Sequence, residues 1–169
     1  MLSVLIETRN DEEGLARTLS SLVSAAVEGV VRDVIVRDRG STDGTGRVAE
    51  HAGCVWLPEA GVAEAIRCCR ADWLLLLQPG ARLEAGWTEA VLEHAAGLAM
   101  PARFSRSRAE RRPFLSRVFA SRSALADGLV ITKKQAAALA RAGGDAESLA
   151  RGLATRRLKA EIRPAPVGR

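Results

Sequence analysis

The chain has no tyrosine, three phenylalanines, three tryptophans and two histidines in 169 residues. Aromatics this sparse leave little surface on which bases could stack, so nucleic acid is an unlikely partner. Cys54, Cys68 and Cys69 are odd in number and lack zinc spacing, which excludes a disulfide framework and a thiolate metal site. They read as buried or inert thiols. No apolar run reaches the ~18 residues of a membrane span, and the N-terminus enters an apolar strand with Glu7 and Arg9 behind it. A cytoplasmic protein without a signal segment is expected. Two phosphate-binding signatures are also missing, Gly-x-Gly-x-x-Gly and Gly-Lys-Ser/Thr. His51 and His94 stand singly on expected helices with no ligand candidates beside them, and are read as structural or exposed.

What is present is an apolar share of 47% and a charge that is unevenly placed. Residues 1–100 carry 9 Arg and 15 Asp/Glu, net −6, whereas residues 101–169 carry 16 Lys/Arg and 5 Asp/Glu, net +11. A basic second half implies an anionic partner, with phospholipid headgroups and a diphosphate as the leading chemistries. The length suits one domain with a real core. Trp56, Trp73 and Trp87 are read as anchors of the core or the sheet edge.

Along the chain, short apolar runs alternate with helical patterns. Leu2–Thr8 reads as a strand, Asp11–Ala25 as a helix with acidic residues in its first turn, and Val31–Asp38 as a second strand. Thr45–Ala52 follows as a helix, Gly53–Pro58 as a strand closed by proline, Gly61–Arg70 as a helix, and Trp73–Leu77 as the most buried strand. Trp87–Leu98 is a further helix. Beyond Met100 a basic loop is expected over 104–112, then a helix over Phe114–Leu125, a strand over Asp127–Ile131 and a helix over Lys133–Ala142. A last helix should run from Gly143 to Leu158, with a final strand over Lys159–Arg163 and a loose tail over 164–169. Such alternation predicts an α/β fold, a single-domain three-layer sandwich whose mostly parallel sheet has helices on both faces.

The stretch around which this order is arranged is Val34-Ile-Val-Arg-Asp-Arg-Gly-Ser-Thr-Asp-Gly-Thr45. A β-branched run meets a charged, glycine-bearing loop that reopens as a helix, and open sheets bind ligands at such carboxyl ends. Read with Thr8-Arg-Asn-Asp-Glu12, it resembles the donor half of the family 2 glycosyltransferases. These usually carry Pro-Thr-x-Asn-Glu and then Val-Asp-Asp-Gly-Ser-Thr-Asp-Gly-Thr. Thr8, Asn10, Asp38 and the run Gly40–Thr45 match, while Glu7 replaces the proline and Arg39 the second aspartate. The likeness weakens beyond residue 88.

The resemblance implies the GT-A, nucleotide-diphospho-sugar transferase-like fold. Residues 1–88 would form a nucleotide-binding half and residues 100–163 a divergent acceptor-side half. It implies a nucleotide-diphospho-sugar donor, with Thr8, Asn10 and Asp38 at the nucleoside. The family's Leu-Asp-x-Asp junction is replaced by Gln78-Pro79-Gly80, and its Asn-x-Gly element before the fourth strand is missing. Hard divalent cations want oxygen ligands, preferably charged, so no divalent metal site and no cofactor are expected. Arg39, helped by Arg82 beside Gln78, would instead meet the diphosphate, since a guanidinium fork matches phosphate oxygens. Asp145 and Glu147 fall near the family's general base and equally suit the first turn of a helix. The acceptor would be lipid-linked or otherwise anionic, with contact to the inner membrane face through residues 103–122. Two further readings stand beside transfer: a ligand-binding or interaction module without turnover, and a basic membrane-surface adaptor.

Overall fold

The computed structural model describes residues 1–97, 99–107, 123–141 and 144–166. Of the helix expected over Phe114–Leu125, residues 114–122 lie outside the described residues, as do residues 108–112 of the expected basic loop and the tail residues 167–169, while Ala124 and Leu125 lie in a turn and not in a helix. The first half follows the alternation in the sequence: β1 (Leu2–Thr8), α1 (Glu12–Ser20), α2 (Val23–Val27), β2 (Val31–Asp38), α3 (Thr45–His51), β3 (Val55–Pro58), α4 (Val62–Cys68) and β4 (Trp73–Leu77). The second half adds β5 (Arg82–Leu83), α5 (Trp87–Gly97), β6 (Ala102–Arg106), β7 (Leu129–Thr132), α6 (Lys133–Ala140), α7 (Ala146–Ala150) and β8 (Arg156–Arg163).

One eight-stranded sheet, in the order β3-β2-β1-β4-β7-β6-β8-β5, runs through both halves. The first four strands in that order are mutually parallel, as helix crossovers require. β7 then joins β4 antiparallel, so the sheet as a whole is mixed. Side chains alternate across it and build two cores. On one face Leu2, Val4, Ile6, Leu75 and Phe104 pack with Leu15, Ala25, Ala49 and Val91 from α1, α2, α3 and α5. On the other, Leu5, Ile35, Leu74, Leu76 and Ile131 pack with Ile66, Ala136 and Leu149 from α4, α6 and α7. Helices thus cover both faces, giving the three layers that the strand-helix alternation predicts.

Three local expectations are corrected. The single helix over Asp11–Ala25 is two, because Ser21 turns its hydroxyl back onto the Thr18 carbonyl at 2.7 Å and the chain bends before α2. The basic segment after Pro101 begins as strand β6, with Phe104 fully buried. The last helix stops at Ala150, because Arg151 is already extended at φ −71 and ψ 133, and Gly152 then turns the chain at φ 70. From Arg156 the chain is β8, whose Leu158, Ala160 and Ile162 are buried at alternate positions beside β6.

No helix among the described residues is long and apolar enough to cross a membrane. His94 is buried, edge-on to Trp73 with ring centroids 5.7 Å apart, and its Nε2 lies 2.7 Å from the Met100 carbonyl oxygen. That bond assigns it a structural role.

Phe104→Ala should lower unfolding free energy by about 3–5 kcal/mol, read by urea denaturation with an unchanged slope. Burial pushes the Cys54 thiol up to about 11 and the Cys69 thiol up to about 12. At pH 8 their thiolate fractions are then on the order of 10⁻³ and 10⁻⁴, while Cys68 is exposed. Iodoacetamide mapped by mass spectrometry should alkylate Cys68 first in the folded protein and all three after denaturation.

Candidate functional site

The parallel register aligns Thr8 with Asp38 at the tips of β1 and β2, and the loops beyond are knitted together. Arg39 donates its backbone N–H to the Thr8 carbonyl at 2.9 Å. Asn10, at φ 49, presents its side-chain oxygen to the Thr42 N–H at 2.7 Å, and its own N–H bonds the Ser41 hydroxyl at 2.8 Å. The Asp11 N–H reaches the Thr45 hydroxyl at 3.1 Å. Asp38 is 2% exposed and folds its own loop, accepting the Ser41 N–H at 2.7 Å and the Ser41 hydroxyl. Gly40 sits between them at φ 82, a turn that most side chains resist. The Thr45 hydroxyl, bonded to Asp43, helps hold that carboxyl below the usual range. The matched residues are therefore tied first to one another. Thr8 is the exception: its hydroxyl is buried and has no hydrogen-bond partner among the described residues.

Strand alternation puts Glu7 and Arg37 on the opposite face from Thr8 and Asp38. There the Glu7 carboxylate meets two guanidiniums, pairing with Arg37 through Oε2 and with Arg39 through Oε1 at 3.3 Å. Oε2 also accepts the Ala146 N–H at 3.0 Å, which ties the start of α7 to the tip of β1. Arg37 is largely buried and sends its Nε to the Ala60 carbonyl. Arg39 is 50% exposed, and its Nη1 lies 4.0 Å from Asp145 Oδ2. Glu7 was read from sequence only as a departure from the proline. The signal was available, since Glu7, Arg37 and Arg39 share one parity at one end of adjacent parallel strands.

These residues open onto a pocket of about 130 Å³ lined by Glu7, Arg39, Leu77, Gln78, Pro79, Leu125, Asp145, Ala146 and Glu147. Arg39, Gln78 and the acidic pair after Gly144 thus lie around one pocket. Each carboxylate has further work. Glu147 accepts the Ser123 hydroxyl at 2.6 Å and the Ala124 N–H at 2.8 Å, and so holds the turn before β7. Asp145 caps α7, its Oδ1 taking the Ser148 N–H at 2.8 Å. Gln78 donates its amide to Ser123, and Gly80 binds its N–H to Gly14 O at 2.8 Å and the Thr18 hydroxyl at 2.9 Å. Arg82 lies on β5, at the sheet edge farthest from β3, paired in register with Arg163 and outside the residues lining this pocket.

The carboxylate oxygens of the pocket are largely committed within the protein. Among the described residues no group of three or more His, Cys, Asp or Glu side chains is arranged to hold a metal. The place the family gives to aspartates offers a committed amide and a glycine, and two of the three pocket carboxylates have every oxygen hydrogen-bonded.

No protein-family model and no curated protein matches the sequence. Solved structures do. Glucosyl-3-phosphoglycerate synthase from Mycobacterium tuberculosis, in complex with Mn2+, uridine diphosphate and phosphoglyceric acid, superposes with a TM-score of 0.58 at 18% identity, over 80% of this chain and 56% of that one. The same enzyme with Mg2+ and uridine diphosphate gives 0.58 and 18%, over 80% and 57%. A structure described as a mycobacterial protein gives 0.56 and 21%, over 80% and 54%. The chain therefore shares the GT-A α/β fold of these neighbours and spans little more than half their length.

Glu147→Ala should cost about 1–3 kcal/mol in urea denaturation, because the Ala124 N–H and the Ser123 hydroxyl lose their acceptor. Faster hydrogen exchange at Ala124 would locate the loss.

Proposed function

We propose that this chain binds a nucleoside-diphosphate sugar across the tips of β1, β2 and β4 and transfers the sugar to an acceptor hydroxyl without a divalent metal. The observation that carries this reading is Arg39, a half-exposed guanidinium at the mouth of a pocket at the carboxyl edge of the sheet. Neighbours with this fold hold uridine diphosphate or uridine-diphosphate-glucose in their crystals, which makes uridine nucleotides the first probes.

The chemistry asks two things of the protein. As the acceptor oxygen bonds the anomeric carbon, the bond to the diphosphate breaks and its electron pair leaves with the nucleotide. Arg39 would balance that growing charge with the N–H donors of a planar fork that matches phosphate oxygens. The acceptor hydroxyl must also lose a proton. Asp145 is the better candidate to take it, because its Oδ2 makes no hydrogen bond among the described residues, whereas both oxygens of Glu147 are engaged. Thr8, Asn10 and Asp38 belong to the loops that would line the nucleoside. A pocket of about 130 Å³ takes one end of such a donor, the remainder lying along those loops. The excess of Arg and Lys after residue 100 supports an anionic or lipid-linked acceptor, and the stretch 103–122 is the candidate for contact with an acidic membrane face.

A binding module without turnover is the second reading. What favours it is the engagement of Asp38, Glu147 and Gln78 within the protein, which leaves few unbonded polar groups for a reaction.

Differential scanning fluorimetry separates the readings. Uridine or guanosine diphosphate should raise Tm, and the rise should survive EDTA. Arg39→Ala should weaken nucleotide binding about 10- to 100-fold, the effect of losing a charge-assisted contact. Release of nucleoside diphosphate from donor and acceptor, lost in that variant, supports transfer; binding without release supports the module. A stabilisation that needs added Mn2+ or Mg2+ overturns metal independence, and the absence of any nucleotide effect overturns the whole reading.

A further inference from the structure

Among the described residues, the charges around the pocket do not favour an anion as they stand. Glu7, Asp145 and Glu147 line it, with Arg39 as the one cation among the described lining residues and Arg37 behind Glu7. Glu7 and Asp145 lie within 4.0 Å of Arg39, so for a diphosphate to enter one of them must yield, and the three carboxylates differ in how firmly they are held. Glu7 has a guanidinium on each oxygen and the Ala146 N–H besides. Glu147 has a backbone N–H on one oxygen and a hydroxyl on the other. Neither can withdraw without stranding buried or half-buried donors. Asp145 can. Its Oδ1 caps α7, but its Oδ2 has no hydrogen bond among the described residues and faces Arg39 at 4.0 Å.

We propose that Asp145 is a selectivity residue: an internal counter-ion of Arg39 that a diphosphate displaces and an uncharged nucleoside does not. Glu7 keeps its contact with Arg39 and holds the guanidinium at the mouth, and the ligand takes the side that Asp145 gives up. Ligands are then sorted by phosphate charge, since only an anion competes for the guanidinium. This inference rests on the nucleotide reading above.

The test uses the full chain with Asp145→Asn and Asp145→Ser. Both replacements are good helix caps, so α7 keeps its start while the charge is removed. Uridine diphosphate, uridine monophosphate and uridine are titrated calorimetrically into the original protein and both variants. The expected result is about two- to fivefold tighter binding of the diphosphate in both variants, the scale of a solvent-exposed ion pair. Uridine should be unchanged, the monophosphate intermediate, and the gain should shrink with added salt. Diphosphate binding that is equal or weaker in both variants overturns the counter-ion role and leaves nucleotide binding standing. An equal gain for uridine also overturns it. If none of the three ligands binds any form, the nucleotide reading falls and this inference falls with it.

Discussion

The Glu7 carboxylate is the interaction on which the described site depends. It is largely withdrawn from water, an expensive position for an ion unless partners surround it. It has three: the Arg37 and Arg39 guanidiniums from the tip of β2 and the N–H of Ala146 from the start of α7. These join an element at the beginning of the chain to one near its end. Without Glu7, Arg37 would be a largely buried cation with only the Ala60 carbonyl to satisfy it among the described residues. Arg39 would lose the contact that keeps it beside the pocket.

The residues that resemble a nucleotide-sugar motif do mostly architectural work in this molecule. Asn10, Asp38, Ser41, Thr42 and Thr45 bond one another across the loops after β1 and β2 and make those loops one unit. A rigid rim is a fair preparation for a ligand, because donors already in place need not be ordered when it arrives. The chemistry left to the site then rests on the face with Glu7, Arg39 and Asp145. There, Arg39 at the end of the second strand presents an exposed positive charge.

The second half reads differently from the first. β1, β2 and β4 lie in the parallel part of the sheet with both faces covered, so each carries a continuous apolar stretch, over 4–6, 34–36 and 73–77. β6 and β8 have one face packed on Phe104, Leu158 and Ile162, and the other carries Arg103, Arg157 and Lys159. Such strands look basic and polar on average. That is why residues 104–106 read as part of a loop and residues 156–158 as the end of a helix, although burial alternates along β6 and, from Leu158 on, along β8. Arg103 gives its guanidinium to the Ala124 and Ala150 carbonyls, and Arg157 bonds the Phe104 carbonyl and Asp127. Part of the basic character that suggested an external anion is therefore answered inside the fold.

Taken alone, the sequence determined the α/β class, the parallel strands of the first half, the loops at their tips and the absence of carboxylates after β4. Those features are local: an apolar run, a glycine turn or a missing aspartate carries its meaning within a few residues. Which charges meet was decided only by tertiary structure. Ala146 and Glu7 are 139 positions apart, and no periodicity links them. Register between β1 and β2 set Glu7 beside Arg37, the docking of α7 brought Asp145 to Arg39, and the turn before β7 took both oxygens of Glu147. An ion pair depends on where two chain segments lie in space, and that is set by the packing of the whole sheet.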